Sequence, residues 1–298
     1  MEPIARANQT VSTNEPVFRR AMKRVAGKKG RRMYRQWHKL AACLGFRAAL
    51  LCVLLGVARR TLSRWFGLNA RLQVWVKNEF CPMGVYLRPG ASDWRVFRQI
   101  FVDNEYAPFC ENIKDARVVV DAGANIGLSA VYFLEKYRGA ECLCIEPEHE
   151  NFLLCVKNVR RYGQRVKVLR KALWSERAQL ALLGVGRPGE EWGIRTVKES
   201  ASAETADGIS MTELLTEQLK GKEVSILKVD IEGAESEVFR DGGEKWLEKV
   251  KNMCIEFHGQ ECQEAVMKQF EQFDYEHGVS GELTLFWNIV RRGRGQQG

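Results

Sequence analysis

The stretch VVVDAGANIGLSAVYF, residues 118–133, constrains the fold more than any other part of this sequence. Its run of β-branched valines is typical of a strand that is covered on both faces in a parallel sheet. Gly123 and Gly127 then bracket three residues, which allows a tight turn and a close approach of a ligand to the backbone. The residues from Leu128 onward favour a helix, whose first N–H groups would face the same ligand. The stretch therefore predicts a strand, a ligand-binding turn and a helix.

The next predicted strand, residues 141–146, ends in a carboxylate. This residue, Glu146, comes twenty-five residues after Asp121, about where open α/β sheets place an acid against ribose hydroxyls. The dinucleotide fingerprint requires glycines where this turn has Asn125 and Leu128, and no P-loop motif occurs. The turn alone is also compatible with a purely structural role. Together with Glu146 it indicates a nucleoside without a phosphate chain, and S-adenosylmethionine is such a ligand.

Strand and helix patterns alternate along the rest of the chain. A helix is predicted over residues 94–101, a hairpin from segments 180–185 and 193–197, and a linker over residues 200–206. This rhythm is typical of an α/β fold with a doubly wound, mostly parallel sheet. The further predicted strands of that sheet are residues 165–169, 224–230, 251–257 and 283–290.

The net charge of +9 is concentrated near the N-terminal end. Residues 1–72 hold sixteen Lys or Arg residues and two acidic residues. The remainder holds thirty Lys or Arg residues and thirty-five acidic residues, so it carries a net charge of −5. A mildly acidic body argues against a nucleic-acid groove around the predicted site. The nine cysteines lie mostly in apolar runs without a C-x-x-C pair. They indicate reduced thiols and a cytoplasmic protein.

The first 71 residues read as a region of their own, with a basic tail and one apolar helix. The apolar segment, residues 40–58, contains Arg47, and its uninterrupted run, residues 48–58, is shorter than the ~20 residues that a membrane span needs. An arginine in mid-span adds about 2.5–3.5 kcal/mol on insertion scales. We therefore expect a packed or interfacial helix that allows peripheral membrane contact. A true membrane anchor is the alternative.

Several motifs in the right order resemble one known family, the FkbM-type S-adenosylmethionine-dependent methyltransferases, which have the class I Rossmann-like fold. The resemblance runs from about residue 72 to 292 and implies a methyltransferase domain over residues 72–298. The motifs at residues 227–239 and 255–259 are the more distinctive part of this resemblance. The motifs are YLRPGASDWRVFRQIF (86–101), VVVDAGANIGLSAVYF (118–133), CIEPEHENF (144–152), LKVDIEGAESEVF (227–239) and IEFHG (255–259).

The resemblance implies S-adenosyl-L-methionine as the cofactor and O-methylation of a sugar, glycan, polyketide or similar small metabolite. It places the methionine part of the cofactor near Asp121 and the glycine turn, the ribose near Glu146, and the adenine near residues 172–174. The predicted cofactor-binding residues are Asp121, Gly123, Asn125, Gly127, Glu146, Ala172 and Trp174.

Two neighbouring strands end in candidate catalytic residues. Asp230 and Glu232 follow one strand, and His258 follows the next. Because parallel strands end at one edge of a sheet, these side chains should face the same crevice. A histidine with a pKa near about 6.5 can accept a proton at neutral pH, and a carboxylate beside it can orient the ring. We predict His258 as general base and Asp230 as its orienter or as the ligand of the acceptor hydroxyl, with the reverse assignment and purely structural roles open.

Two other functions stay open on the sequence. A nicotinamide-dependent oxidoreductase is disfavoured by the missing glycines. A non-catalytic, membrane-tethered nucleoside-binding protein would keep the fold without turnover. A divalent metal held by Asp230, Glu232 and Glu235 would need a more diagnostic spacing, so no metal site is predicted.

Lys228 is an unusual charge in the middle of a predicted core strand. A buried lysine without a partner is strongly penalised. We therefore expect Lys228 to pair with Glu256 of the neighbouring strand, or else to reach Asp230 or solvent at the edge of the sheet.

Overall fold

The structure is a computed structural model. The region predicted as a basic tail and an apolar helix, residues 1–71, lies outside the described residues, as does the hairpin loop at residues 186–192. Among the helices that are described, none is long and apolar enough to cross a membrane. The described residues are 74–76, 81, 84–88, 92–184, 195–198, 204–240 and 242–293.

The described elements alternate between strands and helices along most of the chain. The strands are β1 (Val74–Val76), β2 (Val85–Leu87), β3 (Val118–Ala122), β4 (Glu141–Ile145), β5 (Val166–Leu169), β6 (Ala172–Leu173), β7 (Gln179–Leu183), β8 (Arg195–Val197), β9 (Thr205–Ile209), β10 (Ile226–Val229), β11 (Met253–Glu256), β12 (Phe273–Ser280) and β13 (Leu283–Arg291). The helices are α1 (Asp93–Phe101), α2 (Ala107–Glu111), α3 (Leu128–Lys136), α4 (His149–Val159), α5 (Met211–Glu213), α6 (Glu235–Val238), α7 (Gly243–Leu247) and α8 (Gln260–Phe270). A 3₁₀ segment, Arg160–Arg165, follows α4, and a π-helical turn, Leu214–Gln218, follows α5.

The main sheet of the described residues has the strand order β12-β13-β11-β10-β3-β4-β5. The five strands from β11 to β5 are parallel, whereas β13 and β12 are added antiparallel at one edge. The prediction of a doubly wound, mostly parallel α/β sheet is therefore confirmed. All five residues of β3 are buried, as its valine run predicts. Strand β12 escaped prediction because most of its residues are exposed or half-buried and few are apolar.

A smaller sheet among the described residues has the strand order β6-β9-β7-β8. The predicted hairpin is present as the antiparallel pair β7 and β8. The predicted linker over residues 200–206 is wrong at its end, because Thr205 already belongs to β9. That strand pairs with both β6 and β7. Its sequence TADGI has weak strand propensity, so the pairing partners decide its conformation.

Gly123 stands where no side chain fits. Its φ is +74°, and a Cβ there would lie 1.7 Å from the carbonyl oxygen of Asp230. The turn after β3 therefore packs directly on the turn after β10. Gly127 has a φ of +82°, and a Cβ there would lie 2.9 Å from Sγ of Cys155 in α4. Both glycines thus serve the packing of neighbouring elements, a role that the sequence does not reveal.

This packing makes a testable difference between two glycines with similar backbone angles. Gly221 has a φ of +76°, and a Cβ there would meet no atom within 4 Å. Alanine at either site carries the left-handed strain of about 1–2 kcal/mol. We expect Gly123→Ala to lower the free energy of unfolding by about 1–3 kcal/mol more than Gly221→Ala, because only the first overpacks a filled space. Urea unfolding of both variants measures this, and equal losses would contradict the packing role.

Candidate active site

A cavity of about 490 Å³ lies at the carboxyl ends of β3, β4, β10 and β11. Its walls come from the turns that follow these strands, from α1 and from the turn between β12 and β13. This is the crevice where open α/β sheets bind their ligands. The lining residues used below are Gln99, Glu105, Gly123, Asn125, Ser129, Glu146, Ala172, Lys228, Asp230, Glu232, Glu256, Ser280 and Glu282.

Glu146 lines this cavity although its side chain is almost fully buried. Its Oε2 accepts a hydrogen bond from the backbone N–H of Asn125 at 2.8 Å, and its Oε1 accepts one from the backbone N–H of Glu148 at 3.0 Å. Burial raises the pKa of this carboxyl to about 7. Each carboxylate oxygen can accept a further hydrogen bond. Glu146 is therefore suited to take the two hydroxyls of a ribose, as its position in the sequence predicts.

The glycine turn contributes the side chain of Asn125 to the cavity, whereas its first N–H groups are engaged within the protein. The N–H groups of Gly123 and Ala124 both donate to the carbonyl of Ile145 at 3.0 Å, so they are engaged within the protein. Asn125 also lines the cavity, and its Oδ1 is buried without a hydrogen-bond partner among the described residues. A buried acceptor of this kind calls for a donor. The ammonium group of a methionine moiety is such a donor, so the turn fits S-adenosylmethionine.

Asp121 lies behind the cavity wall and does not line it. Its side chain is fully buried, and its Oδ2 accepts a hydrogen bond from Oγ of Ser129 at 2.6 Å. Its Oδ1 lies 3.4 Å from Nζ of Lys228. Because Ser129 and Lys228 do line the cavity, Asp121 orients groups that face a ligand. The structure thus gives Asp121 a supporting place where the sequence suggested direct contact.

Of the remaining predicted cofactor residues, one lines the cavity and two lie outside its lining. Ala172 lines the cavity at the start of β6, on the side assigned to the adenine. Trp174 is buried nearby, and its Nε1 has no hydrogen-bond partner among the described residues. Gly127 lies outside the cavity lining and acts through the packing of α3 on α4.

Lys228 joins the two halves of the site. Its Nζ lies 3.4 Å from Oδ1 of Asp121 and 3.4 Å from Oδ2 of Asp230. It also donates a hydrogen bond to the carbonyl of Gly123 at 2.6 Å. Burial alone would lower the pKa of this ammonium, but the carboxylates of Asp230 and Asp121 raise it above its ordinary value. The predicted pair with Glu256 is therefore wrong, and the alternative contact with Asp230 is the one that forms.

His258 brings four carboxylates together. Its Nε2 lies 3.9 Å from Oδ1 of Asp230, 3.4 Å from Oε2 of Glu232 and 3.7 Å from Oε1 of Glu256. Its Nδ1 lies 2.9 Å from Oε1 of Glu235. Asp230, Glu232 and His258 thus meet at one edge of the sheet, but only the two carboxylates line the cavity that all three were predicted to face. Glu256 completes the group because it ends β11, two residues before the histidine.

The cluster shifts the ionisation of its members. Burial, together with the charge of Asp230, raises the pKa of Glu232 and of Glu256 to about 7. Burial would lower the pKa of His258, but Glu235 and the neighbouring carboxylates raise it to about 9. These carboxylates therefore favour a positive charge at the imidazole of His258. The ordinary histidine pKa assumed from the sequence does not apply here.

A mostly parallel, doubly wound sheet with a buried acid after β4 is the architecture of the class I, Rossmann-like methyltransferases. A family model described as "Methyltransferase FkbM domain" matches residues 121–278, more than half of the chain. The chain belongs to this family and is an S-adenosylmethionine-dependent methyltransferase. The nicotinamide-dependent alternative is thereby set aside, and S-adenosyl-L-methionine is the cofactor.

Individual proteins that are similar to this chain are also named as methyltransferases. "Methyltransferase 1" of Beauveria bassiana (strain ARSEF 2860) is 28% identical over 195 residues, which are 58% of this chain and 77% of that protein. "Methyltransferase sdnD" of Sordaria araneosa is 29% identical over 191 residues, which are 54% of this chain and 73% of that protein. Among solved structures, a putative rRNA-methylase from Clostridium thermocellum has a TM-score of 0.37 and 10% identity, and the match covers 70% of this chain and 100% of that one.

The buried charge of Lys228 predicts a large stability effect. Lys228→Met should lower the free energy of unfolding by about 3–5 kcal/mol, because it leaves a fully buried Asp121 without its cation. Lys222→Met is the matched control. Lys222 pairs with Glu141 at 2.6 Å, but both side chains are more than half exposed, and such pairs contribute about 0–1 kcal/mol. Denaturant unfolding compares the two variants, and similar losses would show that the ammonium of Lys228 is not a structural charge.

The raised pKa of Glu146 predicts a pH-dependent cofactor affinity. Ribose hydroxyls donate to the ionised carboxylate, so binding must drive off the proton that this group holds below a pKa of about 7. We expect S-adenosylhomocysteine to bind more tightly as pH rises from about 6 to about 8. Glu146→Gln should abolish this slope and weaken binding by about 1.5–3 kcal/mol at the upper end of that range.

Isothermal titration calorimetry at several pH values measures both effects. Glu261→Gln, which alters an exposed carboxylate in the first turn of α8, is the control and should keep the pH slope of the unmodified chain. An affinity within about twofold of that chain in Glu146→Gln would refute the ribose assignment.

Proposed function

We propose that this methyltransferase acts on a hydroxyl oxygen of a small, hydroxyl-rich acceptor of the sugar, glycan or polyketide kind. The observation that carries the proposal is that the carboxylates of Asp230, Glu232 and Glu256 line the same cavity as Glu146 and Asn125. S-adenosylmethionine, when bound, supplies a methyl group activated by the sulfonium. A hydroxyl has to give up its proton when its oxygen is methylated, so nearby proton acceptors favour an O–H acceptor.

A further part of the cavity lining supports a polar acceptor. It is formed by Gln99, Glu105 and the turn between β12 and β13, and we refer to it as the acceptor wall. Oγ of Ser280 donates a hydrogen bond to the carbonyl of Glu105 at 2.7 Å, and the N–H of Glu282 donates to Oε1 of Glu105 at 3.4 Å. These bonds hold the turn in place. Carboxylate and amide oxygens there are acceptors for several hydroxyl groups of one molecule.

We assign the proton acceptor by access to the cavity. Glu232 lines the cavity, whereas His258 stands behind it, with Nε2 3.4 Å from Oε2 of Glu232. In this arrangement His258 positions Glu232 and is itself held by Glu235. Asp230, one of whose oxygens faces Lys228, is placed to accept the hydrogen bond of the acceptor hydroxyl. The assignment from the sequence, with His258 as base, is the alternative that the variants below distinguish.

Two effects set the expected size of the catalytic contribution. Alignment of a hydroxyl oxygen with the activated methyl can supply about 7–11 kcal/mol. A positioned general base adds roughly 10²–10⁴-fold. Most of the rate enhancement should therefore survive the loss of the base, and cofactor binding should not depend on it.

The catalytic prediction separates Glu232 from His258. Glu232→Gln should lower kcat by about 10²-fold or more, with affinity for S-adenosylhomocysteine within about twofold. In an assay with Mn²⁺ or Mg²⁺ in excess, His258→Gln should lower kcat less, because the carboxylate that faces the acceptor remains. Glu276→Gln, which changes an exposed residue of β12, is the control. The assay is transfer of a labelled methyl group to a panel of polyhydroxylated metabolites, with the site of methylation found by NMR.

The possible results have distinct meanings. A larger loss in His258→Gln than in Glu232→Gln would contradict Glu232 as the base. Wild-type turnover in Glu232→Gln, His258→Gln and Asp230→Asn would leave alignment as the whole mechanism. Methylation of nitrogen or carbon, with none on oxygen, would refute the proposed acceptor class. Untargeted mass spectrometry for lost methyl groups in a knockout identifies the natural acceptor.

A further inference from the structure

Three side chains in the cluster have the spacing of metal ligands. One ligand atom each from Asp230, Glu256 and His258 lies within 4.8 Å of the other two. Nε2 of His258 is 3.9 Å from Oδ1 of Asp230 and 3.7 Å from Oε1 of Glu256, too far for hydrogen bonds. Around a cation with bonds of about 2.1 Å in octahedral geometry, ligand atoms are separated by about 3.0 Å when adjacent and about 4.2 Å when opposite. The observed separations fall between these values.

The second observation is the buried carboxylate behind the histidine. The side chain of Glu235 is fully buried and holds Nδ1 of His258 at 2.9 Å. Its other oxygen, Oε2, is buried without a hydrogen-bond partner among the described residues. Histidines that bind metals donate their second ring N–H to a carboxylate in this way, which aims the lone pair of the other nitrogen at the ion. Here the ring aims Nε2 at Asp230 and Glu256.

The local charge also favours a cation. Asp230, Glu232, Glu235 and Glu256 surround one imidazole, and the side chains are between fully buried and one-third exposed. Lys228 offsets part of this charge, but it is shared with Asp121. Concentrated negative charge with restricted access to water is costly unless a cation compensates it. Asp230 and Glu256 line the cavity, so an ion can reach them and keep water ligands.

We propose that Asp230, Glu256 and His258 bind a divalent cation of the Mn²⁺ or Mg²⁺ kind that takes the hydroxyl oxygen of the acceptor. The two carboxylates favour these hard cations. Of the two cations, Mn²⁺ is the better match for the one imidazole ligand. The proposal rests on the proposed O-methylation. It differs from the sequence-based prediction of no metal site. It also differs in its ligands from the set weighed there, which was Asp230, Glu232 and Glu235.

The chemistry balances without a further reactant. The cation polarises the acceptor O–H and makes its proton easier to lose. The proton passes to the carboxylate of Glu232, the oxygen forms its bond to the methyl carbon, and the methyl–sulfur bond breaks with its electron pair going to sulfur. The products are a methyl ether and S-adenosylhomocysteine, with the proton released to solvent from Glu232. Glu235 acts as a positioning residue through His258.

The direct test is a titration of the full chain with Mn²⁺. Binding is measured by electron paramagnetic resonance as the loss of the signal of the free ion. We expect saturation at one ion per chain and displacement by Mg²⁺. Asp230→Asn and Glu256→Gln should each weaken Mn²⁺ binding by at least about tenfold, and Glu235→Gln by about 10–100-fold, as for residues that orient a ligand. Glu282→Gln is the matched control, because Glu282 is a carboxylate of the same cavity outside the triad. It should bind Mn²⁺ within about twofold of the unmodified chain.

Binding of S-adenosylhomocysteine by each variant establishes that it is folded, so a loss of Mn²⁺ binding reports on the site. Absence of saturable Mn²⁺ binding, or unchanged binding in both Asp230→Asn and Glu256→Gln, overturns the metal site. Equal rates of hydroxyl methylation with Mn²⁺ and with excess EDTA overturn its role while the proposed function stands. Mn²⁺ binding through these residues without methylation of any hydroxyl supports the site and refutes the proposed function instead.

Discussion

The ammonium group of Lys228 lies between two carboxylates that belong to different parts of the site. Asp121 lies in β3 before the glycine turn, and Asp230 follows β10 in the carboxylate cluster. The same ammonium bonds the carbonyl of Gly123. Because the group is almost fully buried, water and salt screen these interactions little. The relative position of the glycine turn and the carboxylate cluster therefore depends on one cation in the centre of the sheet.

The architecture could be predicted from the sequence wherever most residues of a strand are apolar. The valines of β3 and the apolar residues of β10 and β11 need burial on both faces, and only a covered parallel sheet provides it. Strand β12 could not be predicted, since an edge strand has one neighbour and tolerates polar residues. Strand β9 has little propensity of its own and depends on contacts with β6 and β7.

The location of the site could be predicted from the sequence, but most contacts between its side chains could not. Glu146, Asp230 and Glu232 reach the cavity because each follows the end of a parallel strand. The supporting place of Asp121 depends on Lys228 of another strand, which the sequence cannot pair with it. The raised pKa of His258 depends on how many carboxylates the fold gathers around one ring. These properties belong to the tertiary arrangement and have no local signal.

The contact between Glu105 and the turn from Ser280 to Glu282 joins segments that lie far apart in the chain. Both lie outside the segment 121–278 that matches the family, whereas the glycine turn and the carboxylate cluster lie within it. The cavity lining is thus divided between the segment that matches the family and a border outside it, which contains the proposed acceptor wall. Insertions or exchanges in that border can alter which molecules enter without rebuilding the sheet. On the proposed function, acceptor choice and methyl transfer would therefore depend on different segments of the chain.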